Sequence, residues 1–123
     1  MILECLPMNL TVCKLREMKA VDFAQSFVFV AKTAEELSLV CETEKIPGGV
    51  IEKESGWRAL KIVGMLDFGL VGIIAKITSI LAAQSIAVFV VSTFNTDYVL
   101  IKEASLATAV ESLRAQGYTC LGR

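Results

Sequence analysis

Two hydrophobic periods run along the chain. Leu70, Ile73, Ile74, Ile77, Ile80 and Leu81 recur at i, i+3, i+4 and i+7, which predicts an amphipathic helix opening after a glycine-flanked turn. Leu106, Ala109, Val110 and Leu113 repeat that spacing, with Ser105 as the predicted N-cap and Gly117 as the residue that ends the helix. Between the two, Ile86 to Phe94 is almost continuously apolar. It predicts a strand central in its sheet, covered on one face by helices, with Tyr98 to Lys102 as its hairpin partner across a tight Asn95-Thr96 turn. Tyr118 to Leu121 reads as a last strand, and Trp57 to Met65 as the strand before the first helix. Upstream the period shortens to two: Met8 to Leu15, Ser26 to Ala31 and Leu37 to Cys41 read as strands. Residues 1 to 6 read as a loose or edge segment. Arg16 to Asp22 has room for one helical turn, and Thr33 to Glu36 reads as a turn, a short helical one where Thr33-x-x-Glu36 serves as a capping box.

Glu42 to Gly56 carries Pro47-Gly48-Gly49 and the charged Glu52-Lys53-Glu54. It reads as a loop dividing residues 1–55 from 56–123. The second half is then β-α-β-β-α-β, the split βαβ of an α+β, ferredoxin-like fold. The first half is β-turn-β-β, a version with reduced helices. The repeat is one of element order, not of residue identity.

Composition changes this picture in three ways. The 123 residues are 54% hydrophobic, and mean hydropathy is +0.62, above an ordinary soluble domain. Either a partner subunit shares the core or a segment enters a membrane. Ile77 to Thr96 is uncharged and, at about twenty residues, long enough to span. Its first half keeps helical spacing and its second is β-branched and aromatic, so helix followed by strand is the reading. Net charge is −1 without a basic cluster, which excludes a nucleic-acid surface. There is no histidine, and Cys5, Cys13, Cys41 and Cys120 form no CxxC pair. A Ser-His-Asp or Cys-His catalytic set is therefore excluded, and neither a metal nor another cofactor is expected. Free thiols and a start without a signal-like apolar segment point to the cytoplasm.

Three stretches carry a family resemblance: Asp67 closing a strand, Gly72-Ile73-Ile74-Ala75-x-Ile77 opening the helix, and Ile86 heading the strand after it. With these the sequence resembles the ACT-domain family of small amino-acid-sensing modules. Glu36 to Cys41, Gly56 to Leu60, Leu66 to Phe68 and Ser92-Thr93-Phe94-Asn95-Thr96-Asp97-Tyr98-Val99-Leu100 are more narrowly similar to small tandem-ACT proteins related to the CASTOR arginine sensors. The resemblance implies a non-catalytic regulatory module, usually a homodimer, that binds a free amino acid at an interface between domains. It places the ligand against the strand-helix turn, Asp67, Phe68, Gly69, Leu70, Val71, Gly72 and Ile73. Facing these would be a neighbour's second strand at Phe89 to Thr93, with Val91, Ser92 and Thr93, and Asp97 beyond the hairpin.

The residues themselves allow two readings at each position. Gly69 to Gly72 offers unpaired N–H groups at the positive end of a helix, an anion site; the same glycines also permit close helix–strand packing. Asp67 and Asp97 are acceptors for an ammonium, or a helix cap and an Asx turn. Ser92 and Thr93 interrupt an apolar strand, and their hydroxyls face a ligand or nearby backbone. No Gly-Lys-Ser/Thr follows the turn, so nucleotide binding is unsupported. The expected function is amino-acid-responsive regulation, through a change that a partner protein reads. The alternative is an interaction module that dimerises without a ligand.

Overall fold

The computed structural model describes residues 1–64 and 71–123. The expectations for Asp67, Phe68, Gly69 and Leu70 lie outside the described residues. The chain divides into two compact units, Met1–Pro7 with Arg58–Arg123, and Met8–Trp57. The first seven residues thus belong with the C-terminal part.

In the larger unit the strands run β6-β7-β5-β1-β8: Phe89–Ser92, Asp97–Lys102, the end of Val50–Ile62, Ile2–Cys5 and Thr119–Leu121. The opening segment is no loose end. β1 pairs antiparallel with β5, Leu3 opposite Ile62, and parallel with β8, Leu3 opposite Cys120. Leu3 is fully buried and Cys5 almost so. Four residues are too few to display a period, which hid this strand in the sequence. Arg58 fastens it. Its guanidinium donates to the Leu6 carbonyl from Nη2 at 2.9 Å and from Nε at 3.3 Å, and from Nη1 to Glu103 at 2.9 Å.

The helices are α1, Ile73–Ala83, and α2, Leu106–Ala115. The predicted stripes face the core: Ile77, Leu81, Leu106, Ala109, Val110 and Leu113 pack with Leu60, Ile62, Val99 and Ile101. Gly117 ends α2 as expected, at φ +93° with its N–H on the Arg114 carbonyl. Ser105 stands at the N-cap position of α2, as expected. It closes a 3-10 turn, Glu103–Ser105, and makes no side-chain cap hydrogen bond. The larger correction is β6. It is four residues long and, among the described residues, pairs with β7 alone, at the edge of the sheet rather than its centre. Phe89 and Val90 are exposed. An unbroken apolar run states that a strand avoids water, not whether its own fold or a second chain provides the cover.

The smaller unit holds β3-β4-β2-β5 through Val28–Lys32, Leu37–Glu42, Leu10–Leu15 and the start of β5. Its core is Cys13, Leu15, Val21, Leu37, Leu39 and Cys41. As expected, Arg16 to Asp22 holds a single turn, the 3-10 segment Met18–Ala20. The expected loop at Glu42 to Gly56 is shorter than its charges suggested. After a 3-10 turn at Thr43–Lys45 and the glycines, β5 begins at Val50, with Glu52 to Glu54 paired to β2 while their side chains stay in water. Backbone pairing was enough to recruit a charged stretch that no hydrophobic pattern marks.

Thr33 to Glu36 is a turn, as expected, and it is the turn of the β3–β4 hairpin rather than a helical one. The Thr33 N–H donates to the Glu36 carbonyl at 2.9 Å, while its hydroxyl oxygen accepts from the N–H groups of Glu35 and Glu36. The β6–β7 turn does the same: the Thr93 N–H donates to the Thr96 carbonyl at 2.8 Å, and the Thr93 hydroxyl accepts from the Thr96 N–H. Each hairpin is followed by a 3-10 turn. The internal repeat therefore reaches single residues, Thr33 answering Thr93.

Candidate functional site

The start of α1 is built by a glycine no other residue replaces without strain. Gly72 is the N-cap at φ +79°, in the left-handed region, and its carbonyl accepts the Lys76 N–H at 2.9 Å. A glycine cap supplies no side-chain oxygen, and among the described residues no side chain caps the first turn of α1, so its N–H groups are suited to an acceptor from outside. Among the described residues, a Cβ at Gly72 would meet nothing within 4 Å.

A hollow of about 320 Å³ lies against this turn, a size suited to a small metabolite. Val71, Gly72, Ile73 and Lys76 form one wall, and Gln116, Gly117 and Tyr118, the turn from α2 into β8, form the other, with Met1 at the side. Of the sequence-predicted residues the hollow contains Val71, Gly72 and Ile73. The sequence reading missed Lys76, Gln116, Gly117 and Tyr118 as site residues. Lys76 was legible as a cation on the first turn and off the apolar stripe. The other three come from across the unit, and no local signal brings them here.

Val91, Ser92, Thr93 and Asp97 do not line this hollow. They lie along the β6–β7 hairpin, where Val91 pairs with Tyr98 and Ser92 with Asp97. Of the two readings for Thr93, backbone satisfaction accounts for its hydroxyl, which lies 3.1 Å from the Thr96 carbonyl and 3.3 Å from the Thr96 N–H. The buried hydroxyl of this stretch is that of Thr96, donated to the Ile62 carbonyl at 2.7 Å. Much of the distinctive Ser-Thr-Phe-Asn-Thr-Asp run thus fixes the hairpin on its sheet. Phe94 at its tip is 79% exposed.

All four cysteines are free and buried. Burial pushes the Cys13, Cys41 and Cys120 thiols up, Cys41 to about 11, so they are held protonated. Among the described residues no His/Cys/Asp/Glu group is placed to hold a metal, and no helix is long and apolar enough to cross a membrane.

Residues 52–115 match the ACT-domain family model. The chain is 34% identical over 85 residues to the human cytosolic arginine sensor for mTORC1 subunit 1. That match covers 63% of this chain, and the chain spans about a quarter (26%) of that relative's length. Among solved structures it is similar to a protein from Agrobacterium tumefaciens, at 30% identity and TM-score 0.85, covering 98% of this chain and 91% of that one. The regulatory subunit of aspartate kinase from Thermus thermophilus has TM-score 0.64 at 8% identity, covering 92% and 95%, and shares the fold.

Proposed function

The chain belongs to the ACT-domain family, and from that premise we propose that it is a non-catalytic regulatory module that binds a free amino acid. The observation that carries this reading is the hollow at the α1 N-terminus, where a helix start with no side-chain cap among the described residues and Lys76 offer positive charge to a carboxylate. In this reading Asp67, Phe68, Gly69 and Leu70, outside the described residues, are further candidates for contact with the ligand, Asp67 as the acceptor for its ammonium. Val91, Ser92, Thr93 and Asp97 belong to the face offered by a second copy in a homodimer. The β6 edge supports that arrangement: its exposed Phe89 and Val90, with Phe94 beside them, form an apolar sheet edge of the kind soluble proteins normally cover. The state of the occupied module would be read by a partner protein, in the cytoplasm, as the name of the human sensor says of that relative.

The test is a thermal-shift panel of the twenty amino acids at millimolar concentration. One or a few should raise the melting temperature, and Lys76→Ala and Asp97→Ala should each reduce the shift with the fold retained. A flat panel refutes amino-acid binding. The exposed β6 edge also favours a second reading, an interaction module that dimerises without ligand. Val90→Lys should convert a dimer to a monomer by light scattering, and a wild-type monomer at micromolar concentration refutes both the dimer and this second reading.

A further inference from the structure

The four free thiols divide evenly between the two units, and the two pairs are not equivalent. In the larger unit Cys5 turns its Sγ to the Leu6 carbonyl at 3.9 Å and takes a donor from Arg58 at 3.7 Å. In the smaller unit Cys13 of β2 and Cys41 of β4 are diagonal neighbours on one face of an antiparallel pair, for Thr11 stands opposite Cys41 and Leu39 opposite Cys13. Both enter the same core, at 2% and 0% exposure. Their thiols are hydrogen-bonded to each other, the Cys41 S–H donating to the Cys13 sulfur.

This contact sets the two sulfurs apart. Burial raises the Cys13 thiol, while the hydrogen bond from Cys41 and then the Lys53 ammonium oppose the rise. At Cys41 burial, the charge of Cys13 and the shared hydrogen bond all act upward. Cys13 is therefore the first of the pair to give up its proton, and Cys41 is the thiol that supports the resulting anion. Lys53 stands opposite Cys13 on β5, and both belong to the wall of a hollow of about 410 Å³. A hydroperoxide is small and uncharged, so it can reach a nearly buried sulfur there that a larger oxidant cannot. A nucleophile at the wall of a hollow, with a second thiol held behind it, is the arrangement a dithiol needs to be oxidised in two steps.

We propose that Cys13 and Cys41 form a reversible oxidation site, converted to a disulfide by a hydroperoxide. The Cys13 thiolate attacks one peroxide oxygen, the O–O bond breaks, and the departing hydroxide takes up the thiol's proton as water, leaving a sulfenic acid on Cys13. The Cys41 sulfur then attacks the Cys13 sulfur, the S–O bond breaks, and the hydroxide leaves as water with the Cys41 proton. Two thiols and one hydrogen peroxide become one disulfide and two waters. Diagonal neighbours start about 7 Å apart at Cα, at the upper edge of disulfide geometry, so closing the bond draws β2 and β4 together and leaves it strained and readily reduced by thiols. The site shares no residue with the hollow at α1 and does not rest on amino-acid binding.

The experiment exposes the reduced, native full chain to millimolar hydrogen peroxide, blocks the remaining thiols in denaturant, and maps disulfides by mass spectrometry of unreduced peptides. The expected result is a Cys13–Cys41 bridge with Cys5 and Cys120 alkylated, and its reversal by dithiothreitol. In Cys41→Ala, dimedone should capture a sulfenic acid on Cys13. Lys53→Gln, an exposed substitution, should slow bridging about threefold, the worth of one surface charge. The wild-type map and the Lys53→Gln rate need no core substitution, so they decide the matter even where Cys41→Ala fails to fold. Four alkylated thiols after peroxide overturn the proposal, as does oxidation of Cys5 or Cys120 as fast as that of Cys13. A bridge that forms only in urea also overturns it, because the two sulfurs then meet only in the unfolded chain.

Discussion

Arg58→Ala tests what holds the first strand in place. The Arg58 side chain is 13% exposed and reaches three acceptors: the Leu6 carbonyl through two N–H groups, the Glu103 carboxylate and, at 3.7 Å, the Cys5 sulfur. These contacts differ in worth. Losing the charged donor leaves the Leu6 carbonyl without its strongest partner, a cost of about 1.5–3 kcal/mol. The Glu103 side chain is 52% exposed, so its ion pair adds at most about 1 kcal/mol. Arg58→Ala should therefore destabilise the protein by about 2–4 kcal/mol, and Glu103→Gln by under about 1 kcal/mol. Arg58→Lys should recover little, because an ammonium cannot present the fork that spans carbonyl and carboxylate. Urea denaturation followed by far-ultraviolet circular dichroism measures all three. If Glu103→Gln costs as much as Arg58→Ala, the ion pair dominates and the ranking argued here is refuted.

Ile77→Ala, at a fully buried position on α1, should cost about 2–5 kcal/mol by urea denaturation, against well under about 1 kcal/mol for Ala82→Ser on the exposed face. Thr96→Val leaves the Ile62 carbonyl without its 2.7 Å donor and should cost about 1–2 kcal/mol in the same assay, whereas a neutral result would mean that packing alone holds the hairpin. Burial first, and then the neighbouring Cys13 thiol, raises Cys41 from 9.0 to about 11, so the unfolded chain releases this proton at lower pH than the folded one. Its contribution is complete below about pH 9 and is lost as pH rises through about 11, by at most about 1.4 kcal/mol per pH unit, and a Cys41→Ala variant whose urea midpoint falls just as steeply there would contradict this assignment.

What was legible in the chain was whatever one element could state by itself. Ile77 and Leu81 announced a buried helical face, and Leu37, Leu39 and Cys41 a buried strand face, because a period needs only its own residues. What was hidden depends on partners distant in sequence. β1 pairs with residues some sixty and more than a hundred positions away, and four residues show no period of their own. The edge position of β6 and the charged opening of β5 are facts about pairing, which side-chain polarity does not encode. The candidate site divides along the same line. Val71, Gly72 and Ile73 follow from a glycine before a helix, while Gln116, Gly117 and Tyr118 arrive through the closing of the sheet. The Thr93 hydroxyl was legible as one of two alternatives, a ligand or nearby backbone, and the Thr96 backbone lies within hydrogen-bond distance of it.

The route of the chain has one further consequence. The larger unit is written in two pieces, and the stretch Met8–Trp57 interrupts it. The smaller unit pairs Leu10 with Trp57, so its own folding brings its two ends onto adjacent strands. Without that, closing a loop of about fifty residues before Cys5 could meet Leu60 would cost roughly 3–4 kcal/mol of chain entropy. The inserted unit thus acts as a clasp on the strand pair that follows it. Loosening it should lower the stability of the larger unit with none of that unit's contacts altered, and a molecule that tightens it would be felt there through the covalent thread alone.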